Sequence, residues 1–131
     1  LIIVWSFKIG SFLPCMFVIL PNIYGNILLQ FVTLTQHGGL KADTWDHRES
    51  TRTFYTNPIL GWLLYINMQY HIEHHIYPQI PFYNLPKLHK LIKKQLPEPN
   101  PSFINAIIEM IPAIILQSKN PDYFIKRKLT S

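Results

Sequence analysis

The stretch His71-Ile72-Glu73-His74-His75 is the most informative part of this chain, because it places three of the six histidines within five residues. On a helix, residues at positions i, i+3 and i+4 share one face. His71, His74 and His75 are therefore predicted to direct three imidazoles toward one point. Neutral imidazole is a common ligand of iron, zinc, copper and nickel, so the spacing predicts a metal site on a helix.

The acidic residue in this histidine box does not match the helix motif of zinc proteases. In that motif a Glu directly follows the first His. Here Ile72 follows the first His, and Glu73 directly precedes His74. Glu73 either orients a ligand imidazole from behind or faces solvent, and the sequence leaves both alternatives open. The single cysteine, Cys15, excludes an intrachain disulfide and any cysteine-based metal site.

The N-terminal third of the chain has the composition of a membrane segment. Charged residues make up 15% of the chain, below the roughly 25% of ordinary soluble proteins, and no Asp, Glu, Lys or Arg occurs from Ile9 to Leu40. A hydrocarbon core of about 30 Å needs about 20 apolar residues in a helix. We predict a membrane helix over residues 9–34, either as one kinked span or as a helix with a re-entrant piece. The run is too long for a signal peptide and lacks a small-residue cleavage site.

The chain is basic, with a net charge of +5. The lysines cluster in residues 87–94 and 126–128. In a chain with a membrane run, the positive-inside rule and anionic headgroups explain such clusters better than nucleic acid does. We therefore expect no nucleic-acid partner, and we expect the basic segments on the cytoplasmic side.

Helices are predicted for the rest of the chain, so the fold class is an all-α, membrane-embedded helical bundle fragment. Asn57-Pro58 marks a turn or helix start, and residues 59–75 are predicted as one helix that ends in the histidine box. Residues 85–96 form a basic amphipathic helix, with leucines 85, 88 and 91 on its apolar side. This helix lies either in the membrane interface or packed against the domain. The predicted domains are 1–96 and a tail, 97–131, with a short apolar helix.

Three motifs resemble the membrane fatty acid desaturase and hydroxylase family. The box and the following residues 76–89, IYPQIPFYNLPKLH, resemble the third histidine box of that family, HxxHH followed by a YP…PFY.LP.LH stretch. Gln36-His37-Gly38-Gly39 resembles an extra histidine motif of EH-(T/Y)-G type, with Gln in place of Glu. Residues 49–58 resemble the ENTRTT..TNP stretch between these motifs. The resemblance covers about residues 35–90.

The resemblance implies a bundle of membrane helices that carries a cytosolic di-iron site. By position, His71, His74 and His75 would be ligands and His37 a fourth, while Asn67 would contact the site directly or through water. The implied reaction uses two iron ions, O₂ and electrons from an external reductase, a ferredoxin or a b-type cytochrome, and it acts on a lipid or acyl chain. The implied location is the endoplasmic reticulum or a bacterial inner membrane. His47 is interpreted as structural, and His89 is assigned no chemistry.

The departures from the family pattern are equally informative. The first two boxes, HxxxH and HxxHH, are absent, and the chain begins without Met at Leu1 inside a hydrophobic run. We therefore expect a fragment that does not form the complete di-iron site alone. Front-end desaturases usually have Gln at the first position of the third box, so His71 argues against that branch.

Three functions follow from these patterns. The first is a desaturase that introduces a double bond into an acyl chain, and the second is a hydroxylase or ketolase of alkyl chains or carotenoids. The third is a non-catalytic, membrane-anchored module with a structural zinc, closed by His37 as the fourth ligand. The sequence does not distinguish desaturation from hydroxylation, nor does it indicate the substrate.

Overall fold

The computed structural model describes residues 1–128, which form two compact units, Leu1–Leu34 and a second unit that begins at Thr35. Residues 1–128 contain helices and two isolated β-bridges but no strand, which confirms the predicted all-α class. The last three residues of the predicted tail 97–131 lie outside the described part.

The first unit contains helix α1, Ile2–Ile9, and most of helix α2, Leu20–His37. Helix α1 ends at Gly10, whose φ of 63° is left-handed, a conformation that glycine adopts without steric cost. A π-helical turn, Cys15–Ile19, leads directly into α2. The helix predicted over residues 9–34 is therefore shifted, because the chain breaks after Ile9 and the continuous helix runs from Cys15 to His37.

The helical stretch Cys15–His37 is long and apolar enough to cross a membrane, by length and composition. It has 23 residues, and none of its most apolar window is buried. Phe17, Ile27 and Leu28 are each more than half exposed. Within residues 1–128 no other helix meets these criteria, so the predicted bundle of membrane helices remains a prediction.

The second unit is organised around Phe54, which is fully buried. Its ring lies 5.5 Å from the rings of Tyr65 and Phe103, measured between centroids. The backbone on either side of Phe54 pairs with two distant segments, since the Phe54 N–H donates to the Gln69 carbonyl and the Tyr55 N–H to the Asn100 carbonyl. Other buried apolar side chains are Leu40, Ile72, Leu85, Leu96, Ala106, Met110 and Ala113.

The single helix predicted over residues 59–75 is wrong, because this stretch forms two helices. Helix α4 spans Pro58–Tyr65 and helix α5 spans His71–Ile76, and a short α3, His47–Ser50, precedes them in the chain. Between α4 and α5, Ile66 and Asn67 have φ values of 53° and 56°. Two left-handed residues reverse the chain and end a helix, and apolar periodicity does not reveal such a turn.

The predicted helix start at Asn57-Pro58 is confirmed. The Asn57 side-chain oxygen accepts hydrogen bonds from the N–H groups of Ile59 and Leu60, and Pro58 occupies the first helical turn. An Asn cap followed by Pro satisfies or removes donors that have no partner inside the helix.

Helix α6, Leu85–Ile92, covers most of the predicted amphipathic helix 85–96, and a 3₁₀ turn follows at Lys93–Gln95. Leu85 and His89 are buried, whereas Leu91 is 80% exposed. Leu85 and His89 are thus packed against the domain, whereas Leu91, which was predicted on the same apolar side as Leu85, is exposed. The placement of this helix in a membrane interface remains a prediction. Helix α7, Phe103–Lys119, follows.

Candidate metal centre

Three imidazoles converge in the second unit. His37 is the last residue of α2, and His71 and His75 lie one turn apart on α5. The Nε2 atom of His71 lies 2.9 Å from His37 Nε2 and 3.0 Å from His75 Nε2. The candidate ligand atoms of all three lie within 4.8 Å of one another, so the structure brings together three of the four predicted ligands.

The orientation of the His37 ring is fixed by the backbone of α3. His37 Nδ1 lies 3.2 Å from the Ser50 carbonyl oxygen. A carbonyl oxygen only accepts hydrogen bonds, so Nδ1 carries the proton and Nε2 presents a lone pair to the other two imidazoles. Metal-bound histidines usually donate their second N–H to a carbonyl or carboxylate in this way.

His71 occupies a position that hydrogen bonding alone does not satisfy. Its Nε2 atom faces two other Nε2 atoms, and one ring nitrogen can either donate or accept but not both. Its Nδ1 atom is buried and has no hydrogen-bond partner among the described residues. A cation that accepts the lone pairs of all three Nε2 atoms would satisfy this arrangement. The three imidazoles therefore have the arrangement expected of metal ligands.

The electrostatic environment keeps the imidazoles of His71 and His75 neutral. Burial, together with the neighbouring histidines, lowers the pKa of His71 to about 3. The same causes lower the pKa of His75 to about 4. Both rings are thus unprotonated at neutral pH, which metal binding requires.

The spacing of the nitrogens also fits a transition metal. Metal–imidazole bonds are about 2.1 Å long, so two nitrogens at right angles on one ion lie about 3.0 Å apart. The two contacts of His71, at 2.9 and 3.0 Å, agree with that separation. The residues present therefore fit a metal ion held by three imidazoles.

His74 lies beside this cluster and not in it. Its ring centroid is 5.9 Å from that of His71 and 5.8 Å from that of His75. Its Nδ1 atom is buried without a hydrogen-bond partner in the described part of the chain. The i, i+3, i+4 spacing places His74 on the same side of α5, but the structure gives it a separate position, so its role as a ligand remains a prediction.

His47 was interpreted from sequence as structural, but the structure places it next to the cluster. Its ring centroid lies 5.0 Å from that of His75. Asp46 caps α3 by accepting from the Arg48 N–H, which holds His47 at the helix start. His47 and His75 open on a cleft of about 540 Å³ that Trp45, Arg48, Tyr77 and Ile92 also line. No sequence spacing links His47 to the box.

Glu73 does not face solvent, since it is fully buried, and its carboxylate pairs with two residues that were not predicted as ligands, Thr53 and His89. Thr53 Oγ1 donates to Glu73 Oε2 at 2.7 Å, and Glu73 Oε1 pairs closely with His89 Nδ1. His89 Nε2 in turn lies 3.0 Å from the Tyr55 hydroxyl. His89, which was assigned no chemistry, is thus the main partner of the box carboxylate.

Asn67 has a different setting from the predicted one. It is buried in the left-handed turn between α4 and α5, where its N–H donates to the Gly61 carbonyl. The helical register that would have placed it one turn before His71 is therefore absent, and contact between Asn67 and a metal remains a prediction.

Comparison with known families identifies the family of the chain. Residues 1–106, well over half of the chain, match the family described as fatty acid desaturase. The chain therefore belongs to the fatty acid desaturase family, a family of oxidoreductases of lipid metabolism. No curated protein and no solved structure shows a significant match to the chain.

Proposed function

We propose that this chain is part of an oxygen-dependent oxidoreductase that uses two iron ions to introduce a double bond into a fatty acyl or lipid chain. The observation that carries the proposal is the convergence of three Nε2 atoms, from His37, His71 and His75. Family membership supports iron and the oxidation of an acyl chain, whereas three imidazoles alone suit several metals.

The roles of the residues follow from their contacts. His37, His71 and His75 would hold one iron ion, and His74 would be a ligand of the second. Two iron ions with O₂ supply an oxidant strong enough to remove hydrogen from an unactivated methylene, which no side-chain acid or base can do. Burial keeps the imidazoles of His71 and His75 neutral, and the Ser50 carbonyl fixes the tautomer of His37. Further ligands for two ions must come from residues outside this histidine set.

A hydroxylase or ketolase of alkyl chains or carotenoids is the alternative within the same family. Loss of a second hydrogen from the substrate gives an alkene, whereas return of oxygen gives an alcohol. The residues around His71 do not discriminate between these outcomes, so the product must be identified directly.

A non-catalytic zinc module is the contrasting function. Structural zinc sites are usually closed by four ligands, and the cluster at His71 supplies three. Metal analysis of the complete protein separates the two functions: about two irons per chain agrees with the oxidoreductase, and one zinc agrees with the module.

The chain is proposed to be an integral membrane protein with the histidine box on the cytoplasmic side, of either the endoplasmic reticulum or a bacterial inner membrane. Cys15–His37 is the candidate span, and its last residue belongs to the cluster. Lys90, exposed on α6, offers a test of the side: in a Cys15→Ser background, Lys90→Cys should react with an impermeant thiol reagent only from the cytoplasmic face of sealed vesicles. Reaction only from the opposite face would overturn the orientation.

Lipid profiling of cells that express the complete protein tests the activity. We expect new unsaturated acyl chains that depend on O₂ and on an electron donor, which would be an external reductase, a ferredoxin or a b-type cytochrome. His71→Ala should abolish the product at equal expression, whereas His47→Ala should retain part of it. Full activity in His71→Ala would contradict the proposal, and a hydroxylated product would select the alternative reaction.

A further inference from the structure

The C-terminal residues of the described chain contact the short turn that follows His37. The Ile125 N–H donates to the Gly39 carbonyl at 2.9 Å, and the Gln117 side-chain amide donates to the Leu40 carbonyl at 3.0 Å. A Cβ atom at Gly39 would lie 2.6 Å from Ala113 Cβ. Gly39 also has a φ of 78°, so both its conformation and this close approach require glycine.

Arg52 connects this turn to the end of α2. Its guanidinium donates to the Thr35 carbonyl at 2.6 Å and to the Gly38 carbonyl at 3.0 Å. The backbone N–H of Arg52 donates to the Gln36 carbonyl at 2.8 Å. The last carbonyls of a helix have no partner inside it and carry partial negative charge. One fully buried arginine thus binds carbonyls on both sides of His37.

Glu109 on α7 supplies the charge that holds Arg52 in place. Glu109 Oε2 lies 3.3 Å from Arg52 Nε and 2.5 Å from Arg127 Nη2, and it accepts from the Asn100 amide at 2.6 Å. The side chains of Arg52 and Arg127 are 0% and 8% exposed. Without the Glu109 charge, two buried cations would face each other unpaired, which is unfavourable in a low-dielectric setting.

We propose that the segment Glu109–Arg127 is a positioning clasp for His37, with Glu109 acting through Arg52. The clasp fixes the α2 end and its turn, so that His37 Nε2 stays within reach of His71 and His75. The matched family region ends at residue 106, so the clasp residues lie beyond it. The inference rests on the proposed metal site and deepens it, because it assigns the position of one ligand to a segment far away in sequence.

The test uses Cu²⁺ as the only metal, because a nitrogen site generally binds Cu²⁺ more tightly than the other divalent first-row metals. The whole chain, in detergent and labelled with ¹⁵N-histidine, is loaded with one equivalent of Cu²⁺, and electron paramagnetic resonance counts the bound imidazoles. The wild-type chain should show three. Glu109→Gln should show two and bind Cu²⁺ about 10–100-fold more weakly, the range typical of groups that orient a ligand. Glu98→Gln, the same change at an exposed glutamate, is the matched control and should behave as the wild type.

Two further variants separate positioning from general destabilisation. Glu109→Gln combined with His37→Ala should bind Cu²⁺ no more weakly than His37→Ala alone, because the clasp acts only through His37. Glu109→Gln with Arg127→Gln removes one of the two unpaired cations and should recover part of the affinity. The clasp would be overturned if the losses of Cu²⁺ affinity from Glu109→Gln and His37→Ala were additive in the double variant. It would also be overturned if Glu109→Gln alone kept three bound imidazoles and an unchanged affinity. Fewer than three imidazoles in the wild-type chain would overturn the proposed metal site, and the clasp with it.

Discussion

The two sides of the imidazole cluster are held in place in different ways. His71 and His75 lie on α5, whose Glu73 is buried between Thr53 and His89. His37 lies at the end of α2, where its support comes from Arg52 and from residues of the C-terminal segment.

The difference shows that one site can depend on contacts of very different sequence range. On the α5 side, the two partners of Glu73, Thr53 and His89, lie within about 20 positions of it in the sequence. Both partners are buried. The His37 side depends on a carboxylate at residue 109, more than 70 positions away. Damage to either side should therefore disturb the same three nitrogens for separate physical reasons.

The largest expected effect comes from breaking the box-side support. Glu73→Ala should lower the free energy of unfolding by about 3–5 kcal/mol, because it leaves His89 and Thr53 buried without their partner. Thermal or denaturant unfolding of the metal-free protein in detergent measures it. Lys90→Ala, on the exposed side of α6, is the control and should change stability by less than about 0.5 kcal/mol. A loss below about 1 kcal/mol in Glu73→Ala would mean that the pair does not hold α5.

A second prediction concerns acid and sharpens the comparison on the α5 side. The pKa of His71 is about 3 in the folded chain and about 6.5 in an unfolded one, so the unfolded chain binds a proton that the folded chain does not. Stability contributed by this group is complete above pH 6.5 and is lost as the pH falls toward 3.

Because His71 is partly exposed, we discount the shift and expect a loss of about 1–2 kcal/mol between pH 7 and pH 5. The melting temperature of the metal-free protein as a function of pH is the measurement. His71→Ala should make the curve less steep in this window, and His75, whose pKa is lowered to about 4, should account for part of the remaining slope. An equally steep curve in that variant would assign the acid sensitivity to other groups.

A third prediction compares two helical glycines. A Cβ at Gly61 of α4 would overlap the side-chain amide of Gln69, in the segment that leads into α5, whereas a Cβ at Gly25 of α2 would meet nothing within 4 Å. Gly61→Ala should destabilise by about 1–3 kcal/mol, and Gly25→Ala should be neutral or stabilising by up to about 1 kcal/mol. Equal melting temperatures for the two variants would show that Gln69 can move aside without loss.

The sequence predicts the start of α4 and the proximity of His71 and His75 because those features are local. The spacing of His71 and His75 depends only on helix geometry, and Asn57-Pro58 is a complete start signal within two residues. The resemblance to desaturases supplied His37, which no spacing joins to the box.

The remaining features could not be read from sequence because they depend on contacts between distant segments. The left-handed pair Ile66–Asn67 interrupts an apolar run that looks like one continuous helix. The contact between His47 and His75, the Glu73–His89 pair and the position of Glu109 join residues with no common periodicity. Side-chain polarity at these positions indicates solvent exposure, whereas packing buries Glu73 and His89.

The affinity of single-histidine variants for one metal ion tests most directly the claim that His37, His71 and His75 share a site. Titration of the chain with Co²⁺, followed by its visible absorption, gives that affinity for the wild type, His71→Ala and His74→Ala. His71→Ala should bind at least about 100-fold more weakly, since it removes the nitrogen that contacts both others. His74→Ala should stay within about 10-fold of the wild type. Retention of wild-type affinity in His71→Ala, or an equal loss in both variants, would contradict the three-imidazole cluster.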